Sequence, residues 1–153
     1  MQKLLIINGP NLDKLGTREP DIYGSATLSD LEKSCNAAAQ KYLFDLDFRQ
    51  SNSESEIIEW LHEASSNDWP VIMNPAAFTH YSVAIRDAAV LLKSPLIEVH
   101  LSNPLNREEF RHTSLISGIA KGTISGFGVN SYLLAMQAMA KELGMIVAEL
   151  NND

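Results

Sequence analysis

The sequence predicts an α/β fold, a five-stranded parallel sheet covered by helices on both faces, built as one domain over residues 1–153. Short apolar runs alternate along the chain with longer segments of helical period, the pattern that parallel strands and their crossover helices impose. No internal repeat, low-complexity tract or linker interrupts that alternation, so a second domain has no place to begin. At 153 residues, 45% of them hydrophobic, the chain is long enough to bury one sizeable core.

The apolar run at residues 3–8 predicts the first strand, and the helical period over 28–42 predicts the helix that follows it. Thr27 with Asp30 three positions on is a weak capping box for that helix. Residues 44–50 predict the second strand, and Ser53 with Glu56 is a stronger capping box opening a helix over 54–65. The third strand is expected at 71–74, followed by a helix that starts after Pro75 and continues through 82–92. A fourth strand at 96–100, a short helical turn at 107–111, a fifth strand at 123–127 and a helix over 132–143 complete the chain, with Gly144 as the stop.

Right-handed crossovers leave few sheet orders open to such a chain, and the flavodoxin-like order 2-1-3-4-5 fits. Ligands of open parallel sheets lie beyond the carboxyl ends of the strands, where the strand order reverses. Here that crevice falls between the first and third strands.

Composition narrows the class of ligand. The net charge is −7 and no short stretch collects several Lys or Arg, so neither a nucleic acid nor an anionic membrane has a footprint to bind. An anionic small molecule has to be held by a few placed arginines. The amino-terminal apolar run, Leu4 to Ile7, is far too short for a signal-peptide core or a membrane span, and a cytoplasmic protein is expected. Cys35 is the single cysteine, read as a small buried side chain, so no intrachain disulfide is available. Gly9 to Lys14 lacks the second glycine of a phosphate-binding loop, and Gly126 with Gly128 only imitates a dinucleotide fingerprint, since Ser131 takes the third place. No metal-ligand spacing is visible; neither a metal nor another cofactor is expected.

The residues after each strand at the crevice edge are polar: Asn8 and Asn11, then Asn74, then His100 and Ser102. Glu98 and His100 stand two apart on one strand and share a face. A carboxylate behind an imidazole fixes its tautomer and raises its basicity, which suits a general acid near neutral pH; a structural ion pair is the competing reading. The connection at 9–26 is longer than the usual loop of about 2 to 6 residues, which is typical of a lid. It places Arg18 and Tyr23 between Gly16 and Gly24, as catalytic groups or as a surface charge and a packing ring. The helix after Pro75 carries Thr79, His80, Ser82, Arg86 and Asp87, and its amino terminus favours an anion in the crevice. His80 is there a ligand for a hydroxyl or oxyanion, or a capping residue. Arg111 is a substrate clamp or a partner of the neighbouring Glu108 and Glu109, while His62 and His112 read as structural.

Several segments occur in a characteristic order: Ile7-Asn8-Gly9-Pro10-Asn11-Leu12, Leu15-Gly16-Thr17-Arg18-Glu19-Pro20, Ile22-Tyr23-Gly24 and Gln50-Ser51-Asn52. Asn74-Pro75, Thr79-His80, Ser82-Val83-Ala84-Ile85-Arg86-Asp87, Pro95-Leu96-Ile97-Glu98-Val99-His100 and Arg107-Glu108-Glu109-Phe110-Arg111-His112 follow. Over nearly the whole chain they resemble the type II 3-dehydroquinate dehydratase family. The resemblance implies a cofactor-free anti elimination of water from 3-dehydroquinate, through an enolate, to 3-dehydroshikimate in the shikimate pathway. It also implies a flavodoxin-like subunit assembled into trimers and dodecamers.

Carried over by that resemblance, Tyr23 is the proton acceptor, Arg18 the cation that keeps it ionised and stabilises the transition state, and His100 the proton donor oriented by Glu98. Asn11 holds a water at the enolate oxygen. Asn74 and the amides of Leu101 and Ser102 grip the substrate carboxylate, His80 and Arg111 bind ring hydroxyls, and Asp87 completes the pocket of a neighbouring subunit. Asp13, Lys14, Phe78 and Tyr81 stand where many members carry Asn, Leu, Tyr and Thr, and bear on pocket shape and lid. A free tyrosine titrates near 10, so ionisation at pH 7 needs a shift of about 3 units, roughly 4 kcal/mol. An exposed ion pair supplies only about 0 to 1 kcal/mol, so the lid must exclude water. The residues alone leave open a non-catalytic flavodoxin-like binding module, or a catabolic, quinate-route use of the same reaction. A phosphoacceptor lacks its acidic cluster after the first strand, and a flavin carrier its Ser/Thr-rich phosphate loop.

Overall fold

The computed structural model describes residues 1–17 and 19–145, with the side chain of Tyr23 outside that description. Five strands, β1 (Gln2–Asn8), β2 (Phe44–Gln50), β3 (Val71–Asn74), β4 (Leu96–His100) and β5 (Gly122–Ser125), form one parallel sheet in the order β2-β1-β3-β4-β5. The helices are α1 (Pro20–Tyr23), α2 (Leu28–Tyr42), α3 (Glu54–Ser66), α4 (Val83–Val90) and α5 (Val129–Glu142).

The pleat of β1 divides its four wholly buried apolar side chains between two cores. Leu4 and Ile6 join Leu31, Cys35, Tyr132 and Met136 of α2 and α5, whereas Leu5 and Ile7 join Ile57, Leu61 and Ile85 of α3 and α4. Each such side chain stabilises the fold by about 1.5–3 kcal/mol, so the central strand anchors both layers. Cys35 is wholly buried, and burial pushes its thiol up to about 12.

Helix ends follow local chemistry, with one reversal of rank. Thr27 and Asp30 form the complete capping box of α2, the Thr27 hydroxyl accepting from Asp30 N at 3.1 Å and Asp30 accepting from Thr27 N at 3.0 Å. At α3 the Ser53 hydroxyl accepts from Glu56 N at 3.3 Å, but the Ser53 amide donates to Ser51 Oγ at 2.9 Å, so the cap is one-sided. Gly144, at φ 66, ends α5 with Met145 N–H donating to Ala140 O at 2.9 Å.

The segment after Pro75 differs from the predicted single helix. Ala76–His80 is a 3-10 helix, Tyr81 breaks it, and α4 starts only at Val83. The α4 amino terminus is capped by Ser82, whose hydroxyl accepts from Ile85 N at 3.0 Å and donates to the Glu54 carboxylate, and none of Ser82, Val83 and Ala84 lines the crevice. The turn expected at 107–111 resolves into two 3-10 helices, Pro104–Asn106 and Glu109–Arg111. β5 ends at Ser125 because Gly126 and Gly128 turn the chain at φ 96 and φ 61, which lets α5 begin at Val129. Pro20 at the first helical position and Gly24 at φ 79 delimit α1, a turn without apolar period and so unseen in the sequence.

Candidate active site

The sheet register assembles the crevice. Asn8 pairs with Asn74 across β1 and β3, and Met73 pairs with Glu98, so His100 stands one residue beyond Asn74 at the same sheet edge. Gly9 lets the chain cross there: its amide donates to Asn74 O at 2.8 Å, and a Cβ at this position would sit 2.4 Å from Pro75 O. The crossing brings Asn11, in the left-handed region at φ 67, onto the crevice wall, with its amide donating to Asn52 Oδ1 at 2.9 Å. Asn11, Asn74, His80, His100, Leu101, Ser102 and Arg111 all line this one crevice.

Asn74 is held from below. Its Oδ1 accepts from Ala76 N at 3.0 Å and its Nδ2 donates to the Tyr132 hydroxyl at 3.0 Å, leaving the second Nδ2 hydrogen for the crevice. Tyr132 donates in turn to Asn8 Oδ1 at 2.6 Å, and Asn8 Nδ2 donates to Arg49 O at 2.9 Å. Complete burial pushes the Tyr132 phenol far up, so it remains a neutral donor. Sequence reasoning passed over Tyr132; the available signal was a phenol on an apolar helix, which needs a partner when buried.

Glu98 is 0% exposed and His100 9%, and His100 Nε2 lies 2.6 Å from Glu98 Oε2. The carboxylate also accepts from Thr79 at 2.5 Å, from Ser117 at 2.5 Å and from Ser114 at 2.9 Å. Burial alone pushes the Glu98 carboxyl up, but the His100 hydrogen bond and charge, with the Ser117 and Thr79 hydroxyls, outweigh it and leave it below the ordinary range. Because Nε2 serves the carboxylate, Nδ1 is the ring atom available to the crevice. An acid oriented by a buried anion is the chemistry this pair supports.

His80 Nδ1 lies 2.8 Å from Thr113 O; a carbonyl only accepts, so Nδ1 carries hydrogen and the neutral ring offers Nε2 as an acceptor. Arg111 combines both readings, lining the crevice while Nε donates to Glu108 Oε2 at 2.6 Å. Arg107, quoted only as part of a motif, is also on the wall; its Nη1 donates to Ser102 Oγ at 3.4 Å and Nη2 lies 3.6 Å from Glu19 of the long loop. Asp87 is on the exposed side of α4, 3.2 Å from Arg86, and does not join this chain's crevice. Arg18 and the Tyr23 side chain lie outside the described residues.

The family model of class II dehydroquinase matches residues 2–140. The chain belongs to this family. A 3-dehydroquinate dehydratase of Halalkalibacterium halodurans is 54% identical over 139 residues, covering 91% of this chain and 96% of that protein. The 3-dehydroquinate dehydratase of Maricaulis maris is 50% identical over 143 residues, covering 94% and 98%. A type II dehydroquinase from Propionibacterium acnes, known from its crystal structure, superposes with a TM-score of 0.90 at 45% identity, covering 92% of this chain and 97% of its own.

Within this dehydroquinase fold the four departures lie around the wall rather than on it. Phe78 is buried and meets the exposed Tyr81 edge to face at 6.0 Å, while Asp13 and Lys14 are exposed on the 3-10 helix Leu12–Lys14. No helix among the described residues is long and apolar enough to cross a membrane.

Proposed function

We propose that this dehydroquinase removes water from 3-dehydroquinate by the enolate route, with His100 as the acid. The observation that carries the assignment is a crevice-lining imidazole whose far nitrogen is engaged by a wholly buried carboxylate, Glu98. Tyr23, as a phenolate kept ionised by Arg18, takes a proton from the carbon beside the ketone, and the electron pair moves onto the carbonyl oxygen, where Asn11 holds a stabilising water. The enolate then re-forms its carbonyl, the new carbon–carbon double bond forms, and the hydroxyl leaves with a proton from His100 Nδ1 as water. Asn74 and the amides of Leu101 and Ser102 take the carboxylate; His80 and Arg111 take ring hydroxyls, the two histidine nitrogens being distinguished by the Thr113 hydrogen bond.

By family likeness the chain assembles into trimers and a dodecamer, in which Asp87, exposed on α4, serves the neighbouring crevice. The reading places the enzyme in the cytoplasm, on the shikimate pathway. Its test is ultraviolet absorbance, since the product is a conjugated enone. The parent protein is expected to produce that absorbance from 3-dehydroquinate, and His100→Ala to lower kcat by about 10²- to 10⁴-fold. A silent parent overturns the reaction, and a fully active His100→Ala overturns the assignment of the acid.

A further inference from the structure

We propose that Ser114 and Ser117, together with Thr79, are positioning residues for the acid step: they restrict Glu98 to accepting hydrogen bonds, so the proton shared with His100 stays on the imidazole. The inference rests on His100 being the acid. The hydrogen-bond accounting behind it is close to complete. An ionised carboxylate has about four lone-pair sites. Four donor groups face Glu98: His100 Nε2, Thr79, Ser117 and Ser114, the last placed to share its hydrogen between Glu98 and Thr79.

Ser114 cannot reverse its role. Its oxygen already accepts from Ile116 N at 3.1 Å and from Ser117 N at 3.0 Å, so its own hydrogen must point away from those amides, toward Glu98 or toward Thr79 at 2.6 Å. The Ser117 oxygen likewise accepts from Thr123 at 3.3 Å. A protonated Glu98 would need Thr79 or Ser117 to turn from donor to acceptor, at the loss of that residue's own bond to the carboxylate. Leu115 N donates to Thr79 O at 2.7 Å, which ties the serine turn to the 3-10 helix carrying Thr79 and His80.

The consequence is directional. Hydrogen bonds to an anion lower its basicity. With Glu98 held anionic by hydroxyl donors, the Nε2 hydrogen stays on the ring, and the Nδ1 proton goes to the leaving group in the crevice. The ionisable groups around His100 are Glu98 behind it on β4, His80, Arg107 and Arg111 on the crevice wall, and His112 across a second hollow of about 260 Å³.

Ser117 is exposed and does not line the crevice; it shares the second hollow with His100 and Arg111, and Ser117→Thr controls for contacts made there. The experiment compares the parent chain with Ser117→Ala, Ser117→Thr and Ser114→Ala, by kinetics with 3-dehydroquinate and by nitrogen-15 NMR of the histidine rings. His100 is assigned from a His100→Ala sample. Ser117→Ala is expected to lower kcat several-fold with KM unchanged, to move the alkaline limb of the kcat profile upward by about half a pH unit, and to shift the His100 Nε2 signal toward its unprotonated value. Ser117→Thr, which restores a hydroxyl, is expected to recover all three. Ser114→Ala is expected to give the same displacement with an added loss of melting temperature, because it also removes the turn's cap. An unmoved alkaline limb and Nε2 signal in both alanine variants, whatever happens to stability, would overturn the proposal. A parent that fails to convert 3-dehydroquinate defeats the enzymatic reading instead, and the Nε2 signal still tests the hydroxyl donors around Glu98 by itself.

Discussion

Tyr132 on α5 donates its hydroxyl hydrogen to Asn8 Oδ1 at 2.6 Å, joining a helix near the end of the chain to the last residue of the first strand. The same oxygen accepts from Asn74, so one buried phenol fixes two asparagines at the switch point of the sheet. Tyr132→Phe keeps the ring and leaves Asn8 Oδ1 and one Asn74 hydrogen unsatisfied. A loss of about 2 kcal/mol is expected, which is roughly 4–8 °C in melting temperature for a chain of this size. KM for 3-dehydroquinate should also rise, since Asn74 is no longer held; an unchanged KM with a lowered melting temperature would confine Tyr132 to stability.

Gly9→Ala tests the chain crossing. The added Cβ would meet backbone, Pro75 O, at 2.4 Å, so β1 and the segment after β3 have to separate. Overpacking of this kind typically costs about 1–3 kcal/mol. Turnover should fall with stability, since Asn11 and Asn74 lie on either side of the crossing. Gly118→Ala is the control, because a Cβ there meets nothing within 4 Å. Calorimetry that finds Gly9→Ala as stable as Gly118→Ala would contradict the crossing geometry.

Stability should fall with acid. The Arg49 hydrogen bonds hold Asp47 below the ordinary range, and Glu98 is held down against its burial by His100, Ser117 and Thr79. Carboxyls that are more acidic folded than unfolded contribute stability that is complete above about pH 5 and is lost as pH drops through the folded values. Melting temperature should therefore be flat from pH 7 to about 5 and decline below about 4. Glu98→Gln is expected to melt lower at pH 7 and to decline less steeply. A parent that becomes more stable on acidification to pH 3 would show the opposite sign.

Arg18 and Tyr23 should behave as one unit. Arg18→Ala and Tyr23→Phe are each expected to remove most of kcat, and the double variant to be scarcely worse than the poorer single, as coupled catalytic groups are not additive. Multiplicative losses in that cycle would mean that Arg18 does not activate Tyr23.

The cap at Thr27, the stop at Gly144 and the pairing of Glu98 with His100 were legible in the sequence because each follows from relationships within a few residues, and the order of the five parallel strands because right-handed crossovers leave few alternatives. Strand alternation alone places residues 98 and 100 on one face. What those two side chains meet was not legible. Thr79, Ser114 and Ser117 reach Glu98 from 19, 16 and 19 positions away, and Tyr132 reaches Asn8 from 124. Local period carries no record of which crossover will deliver a hydroxyl to a buried carboxylate. Ser82 shows the same division. The sequence placed it within a helix beginning after Pro75; in the structure it caps α4, and its bond to Glu54 comes from the packing of α3 against α4. Local chemistry determined the elements and the acid pair; the packed layers decided which polar groups would satisfy one another, because a buried donor or acceptor takes its partner from whatever the fold brings within reach.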